Sequence, residues 1–279
     1  MAKTLKNILI PADLSINTEL AVKKALELSD SDTTIHLLYV LDSSVFSWSN
    51  LKSRSLFLSG EDRNISLISN RLNQWKQTIE ESSDIMAACT WVDVGNIQKS
   101  IEKKIGQLSI DLVIIGKKSH HSWLPFLNTV VSNSIAMRTG VPVFTVKPGS
   151  FHHKNKIVIV PVTGPESMYK FETLSFISRK FRLKVYLVAF NAHNTLPEAN
   201  TSALLGMYKK IRQTLFCSVD YVSLEGYNKA KTVLNYAYKV NADILLLSPE
   251  TETRISWTNN QISDMISPAS KLQVLAVKC

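Results

Sequence analysis

Apolar residues in this chain fall into short unbroken runs, separated by stretches where they recur every three or four positions. In the first half the runs are "NILIP" (7–11), "IHLLYV" (35–40), "ACTWV" (88–92), "LVIIG" (112–116) and "VFTV" (143–146). A strand covered on both faces of its sheet shows this continuous apolar character. Between the runs, Ile65, Ile68, Leu72, Trp75 and Ile79 step at helical spacing, as do Ile97, Ile101, Ile105 and Leu108. Each set lies on one face of a helix. Residues 17–29 and 131–138 supply two further helices. The alternation predicts an open parallel sheet with helices on both faces.

The pattern then repeats. "TLKNILIP" (4–11) is matched by "KNKIVIVP" (154–161), and residues 111–147 can be laid on residues 243–278. Each of these longer blocks opens on Asp and closes on a strand-like run ending in Lys; Gly95 and Gly226 stand at corresponding places upstream. The second copy has strand-like runs at 156–161, 184–190, 219–223, 243–248 and 273–277. The segment "KPGSFHHKNK" (147–156) carries Pro, Gly and Ser and reads as a linker. Two copies of one domain are expected, residues 1–149 and 150–279, each a five-stranded parallel sheet flanked by helices.

Composition narrows the function classes. Hydrophobic residues make up 45% of the 279 and charged residues 20%, as in ordinary globular proteins. No apolar run reaches the roughly 18–20 residues of a membrane span, and the first residues lack the pattern of a secretory leader. Cys89, Cys217 and Cys279 have no short spacing, which gives neither a disulfide framework nor a zinc site; Cys89 and Cys217 lie in or beside apolar runs and read as core. A cytoplasmic protein with reduced thiols is expected. The net charge of +9 is uneven: 16 basic against 14 acidic residues in 1–150, and 16 against 9 in 151–279. A basic second half attracts nucleic acid or anionic lipid in principle. Its basic residues are scattered through helical stretches without a reading motif, so solvated faces and no specific nucleic-acid partner are expected.

The chemistry-bearing stretch of the first copy is "IIGKKSHHSWLPFLNTVVSNSIAMRTGVPVFTV" (114–146), a strand ending in Gly116 and a polar loop leading to a helix. Phosphate loops need several glycines so that backbone N–H groups reach the anion. Here one glycine precedes Lys117, Lys118, His120 and His121. No third ligand stands at a readable spacing from the histidines, so no metal site is expected; an exposed loop and an anion-binding loop both fit. Asp13, just after the first strand, also has two readings. It lies at a strand's carboxyl end, where open α/β sheets place ligands, and equally where a turn or helix cap forms, with Ser15 and Asn17 nearby. The aromatic stretch 42–60 reads either as a lid or interaction surface, or as a connector packed on its own domain.

On "KNILIPADLS", Gly95 and "DLVIIG…VSNSIAMRTGVPVFTVK", the chain resembles the universal stress protein family in its tandem two-domain form. The resemblance implies two Rossmann-like, flavodoxin-like domains of the adenine nucleotide alpha hydrolase type. It also implies an intramolecular pseudo-dimer in which "VFTV" and "VLAV" pair across a pseudo-twofold axis. Nucleotide-binding members carry Gly-x2-Gly-x9-Gly-(Ser/Thr) between the fourth strand and the last helix. Those places fall on Gly116, Ser119, Thr129 and Val130, and only the first glycine is kept. A shift of one residue brings Asn128 and Thr129 to the last pair, restoring a hydroxyl but no glycine. In the second copy Ser248 takes the first place, with Glu250 and Glu252 following, and Thr163 stands where Asp13 does. The expectation is a stress-response protein without a nucleotide cofactor, not an enzyme, acting through an unidentified protein partner; a homodimer of the chain stays open. The competing expectation is an ATP or AMP sensor in the first copy alone, built on Asp13, Val40, Gly116, Ser119 and Thr129.

Overall fold

The first strand, β1 (Asn7–Pro11), lies between β2 (Thr34–Asp42) and β4 (Leu112–Gly116), parallel to both. The computed structural model describes residues 4–42, 54–117, 129–148, 154–191, 198–226, 228–249, 266 and 270–278. The first half continues through α1 (Ile16–Leu28), α2 (Arg54–Glu81), β3 (Ala87–Gly95), α3 (Ile97–Leu108), α4 (Thr129–Thr139) and β5 (Val143–Val146). The second half runs β6 (Asn155–Pro161), a 3-10 turn (Pro165–Tyr169), α5 (Lys170–Lys180), β7 (Arg182–Asn191), α6 (Glu198–Thr214), β8 (Ser218–Glu225), α7 (Lys229–Lys239), β9 (Ile244–Leu247) and β10 (Gln273–Ala276). We call the halves lobe one and lobe two.

All strands join one ten-stranded sheet in the order β3-β2-β1-β4-β5-β10-β9-β6-β7-β8. Within each lobe the pairs are parallel; the seam between β5 and β10 is antiparallel, with Phe144 beside Leu275 and Thr145 beside Val274. The expected contact between the two final strands therefore forms. It spares each lobe an open sheet edge. Phe144 and Leu275 are fully buried there, each worth roughly 1.5–3 kcal/mol of burial.

The two sheet faces are organised differently. On one, Ile8, Ile10 and Phe144 from lobe one and Val158, Leu246 and Leu275 from lobe two belong to a single core, roofed by α1, α2, α5 and α6. On the other face the core splits: Ile101, Ile105 and Ile135 of α3 and α4 cover lobe one, while Val233 and Leu234 of α7 cover lobe two. At the ends of α1 and α5, Asp30 forms ion pairs with Lys180 at 2.6 Å and Arg179 at 3.3 Å, and Lys180 also donates to the Ser29 carbonyl.

Two expectations are corrected. Residues 54–60, expected in the connector, are helical, because α2 begins at Arg54 in a stretch of good helix formers such as Leu56, Leu58 and Glu61. The lid and connector readings of the rest of that stretch concern residues outside the described set. Cys89 and Cys217 are half-buried and not fully inside, Cys217 packing against the rim of the core, because both lie on or beside the outermost of the described strands, β3 and β8. Cys279 is outside the described residues. Lysine burial was not anticipated: Lys24, Lys156 and Lys170 all lie inside, and for the last two this departs from the solvated faces expected of the second half.

Candidate functional site

The carboxyl edge of lobe one is set by the turn from β1 to α1. Leu14 takes a left-handed conformation (φ 56°), which reverses the chain so that Ser15 caps the helix and its hydroxyl accepts from Asn17 N–H at 3.0 Å. Asp13 is drawn wholly into this turn. Its Oδ1 accepts from Ser15 N–H (3.0 Å), Ser15 Oγ (2.6 Å) and Thr18 Oγ1 (2.8 Å), and its Oδ2 accepts from Asn17 Nδ2 (3.0 Å). Partial burial works against the charge, but the bonds from Ser15, Asn17 and Thr18 outweigh it and hold the carboxyl below the ordinary aspartate range. The same charge, after burial, helps keep the Tyr39 phenol protonated to higher pH.

Gly116 ends β4 directly beneath α1. A Cβ built there would lie 1.8 Å from the Asn17 carbonyl oxygen, so glycine is required for the helix to sit on the strand. Asn17 thus links the two residues, since its backbone covers Gly116 and its side chain bonds Asp13. Val40 lies toward the end of β2, half-buried and in register with Asp93. Thr129 is the first residue of α4; Ser119, His120 and His121 are outside the described residues. Asp13, Val40 and Gly116 are accordingly placed at the carboxyl ends of neighbouring strands. One lysine missed from sequence stands there too. Lys147, just past β5, is buried, and burial together with the nearby Lys117 ammonium lowers it to about 8; its Nζ reaches the Ile266 carbonyl of lobe two at 3.5 Å. Only its place after an edge strand marks it in the sequence.

Lobe two builds the same edge from other groups. Thr163 and Ser248 stand where Asp13 and Gly116 do, Thr163 half-buried and Ser248 buried. Lys170, at the start of α5, is fully buried and donates to the Pro161 carbonyl at 2.7 Å, filling space beside the end of β6. Two hollows lie elsewhere. One of about 430 Å³ opens at the end of β3, lined by Asp93, Asn96, Lys99 and Lys103. The other, about 140 Å³, lies between the lobes beside Asp111, Glu172 and Lys278. Neither is lined by Asp13 or Gly116.

The family model described as the universal stress protein family matches residues 4–147, from before β1 to the end of β5. The chain belongs to the universal stress protein family. Its structure is similar to that of a universal stress protein from Archaeoglobus fulgidus, with TM-score 0.66 and 15% identity over 98% of this chain and 96% of that one. A putative universal stress protein from Pseudomonas aeruginosa gives TM-score 0.54 and 14% identity, covering 98% and 93%. The cytoplasmic domain of a prokaryotic cation chloride cotransporter gives 0.52 and 10%, covering 98% and 96%. At such identities the likeness is one of fold, and it extends over both lobes. A search of curated proteins gives no match. Among the described residues no helix is long and apolar enough to cross a membrane, and no cluster of His, Cys, Asp and Glu could hold a metal ion.

Proposed function

We propose that this universal stress protein is a cytoplasmic stress-response protein of two domains, residues 1–149 and 150–279, that works by protein interaction without catalysis and without a bound nucleotide. The observation that carries this reading is that Asp13 and Gly116, two of the positions on which a nucleotide sensor would be built, are both engaged by the helix that follows β1. The Asp13 carboxylate accepts from three side chains and a backbone N–H of its own turn. The space beside Gly116 that a side chain would need is filled by the Asn17 backbone. A nucleotide contacting Asp13 would have to compete with bonds that already cap α1. In lobe two the neutral Thr163 and the buried Lys170 support the same reading.

Titration calorimetry of the full chain with ATP and with AMP, with and without magnesium, tests it. No heat of binding at millimolar nucleotide is the expected outcome. Micromolar affinity that disappears in Asp13→Ala would replace this reading with that of an ATP or AMP sensor using Asp13, Val40, Gly116, Ser119 and Thr129.

A further inference from the structure

On the face of lobe one covered by α3, a hydrogen-bonded chain crosses three strands. His36 on β2 is only 5% exposed. Its Nε2 lies 3.1 Å from Asn7 Oδ1 on β1, and its Nδ1 accepts from Trp91 Nε1 on β3 at 3.3 Å. An indole N–H can only donate, so Nδ1 must be bare. The ring is therefore neutral, with its single proton on Nε2 directed at Asn7. Burial favours the same neutral form. The groups around the ring are few. Lys104 of α3 holds its Nζ 4.2 Å from the centre of the Trp91 ring and pairs with Asp93 of β3 at 3.5 Å. Cys89 is the register neighbour of His36 on β3, and on the β1 side the Asp111 carboxylate accepts the Asn7 backbone N–H at 3.1 Å.

We propose that Asn7, His36 and Trp91 form an acid-sensitive latch: a proton taken up at His36 Nδ1 turns its acceptor into a donor facing the Trp91 N–H, and releases β3 with α3 from the sheet. Lys104 sharpens the effect, because it already lays one cation on the indole whose N–H a charged His36 would face. β3 is an outermost strand of the sheet, so among the described residues its other edge has no compensating pairing. The strand register assigns Ile157, Tyr186 and Val222 of lobe two to the places of Asn7, His36 and Trp91. Tyr186 there packs edge-on against Tyr236 of α7, at 5.8 Å between ring centres. That trio contains no imidazole, so the latch belongs to one lobe and the other serves as an internal control.

Backbone hydrogen exchange of the full chain at about pH 7 and about pH 5, corrected for intrinsic rates, tests the latch. The protection of β3 should fall about tenfold or more in the wild type while β8 keeps its protection, and His36→Gln should remove the fall. Protection of β3 that persists at the lower pH, or falls equally in the variant, overturns the latch. Should His36→Gln not fold, the wild-type spectrum decides. The His36 Cε1–H and Trp91 indole N–H resonances must move together in one titration step; a His36 that stays neutral throughout, or titrates without moving the indole, overturns it.

Discussion

At the same place in the fold, lobe one has a glycine under the first turn of α1, and lobe two has a serine where the following α-helix starts later. α1 starts at Ile16, three residues past Asp13, and its first turn sits on Gly116. α5 starts only at Lys170, seven residues past Thr163, and the 3-10 turn Pro165–Tyr169 takes up the difference. With the helix start withdrawn, Ser248 is accommodated. The aspartate that anchors α1 is replaced by Thr163, which precedes a 3-10 turn instead of the first turn of an α-helix. The glycine, the aspartate and the early helix start are thus one structural unit, kept together in lobe one and lost together in lobe two. That accounts for residues which otherwise look like remnants of a ligand site.

The comparison breaks most sharply at Gly116. Gly116→Ser gives lobe one the residue of lobe two and drives its Cβ into the Asn17 carbonyl; a loss of about 3 kcal/mol or more is expected in urea unfolding. The reverse change, Ser248→Gly, should cost only about 1 kcal/mol. Equal effects would show that the two sites are packed alike and that the unit does not exist.

Asp13→Ala should lose about 1–2 kcal/mol, measured by thermal melting, because it removes the acceptor for Ser15, Asn17 and Thr18 together. The sign with pH follows from its lowered folded value. The contribution is complete above the ordinary aspartate range and is lost as pH falls through the lowered value, so acid should erase the difference between wild type and Asp13→Ala. A difference that stays constant into strong acid would mean that the carboxylate charge plays no part. The smallest effect is expected at the lobe contact: Asp30→Asn should cost at most about 1 kcal/mol and less at high salt, since its partners Arg179 and Lys180 are partly exposed.

Much of the architecture could be read from the sequence because parallel strands covered on both faces must be apolar throughout. Runs such as "LVIIG" and "VFTV" mark β4 and β5 without ambiguity of length or place. The repeat then supplies the second lobe. Residues 54–60 escaped because the helical period is clear only from Ile65 onward, while helix propensity upstream carries no periodic mark. The site was legible as a set of positions but not as a set of partners. Asp13 followed by Ser15, Asn17 and Thr18 contains the whole cap, yet nothing in the order of residues says that one carboxylate gathers them all. The burial of Lys24 and Lys156 was out of reach for a different reason. Both flank the Phe181 ring of lobe two, so Lys24, which comes from lobe one, finds that ring only once the lobes meet.

The single core roofing one face of both lobes bears on how the chain is made. Synthesis at roughly 5–20 residues per second leaves lobe one waiting on the order of ten seconds for the rest of its roof and for β10. During that interval the β5 edge and the greasy flank around Phe144 face the ribosome's surroundings uncovered. Nascent chains halted before Asn155 should therefore be the ones that chaperones hold longest.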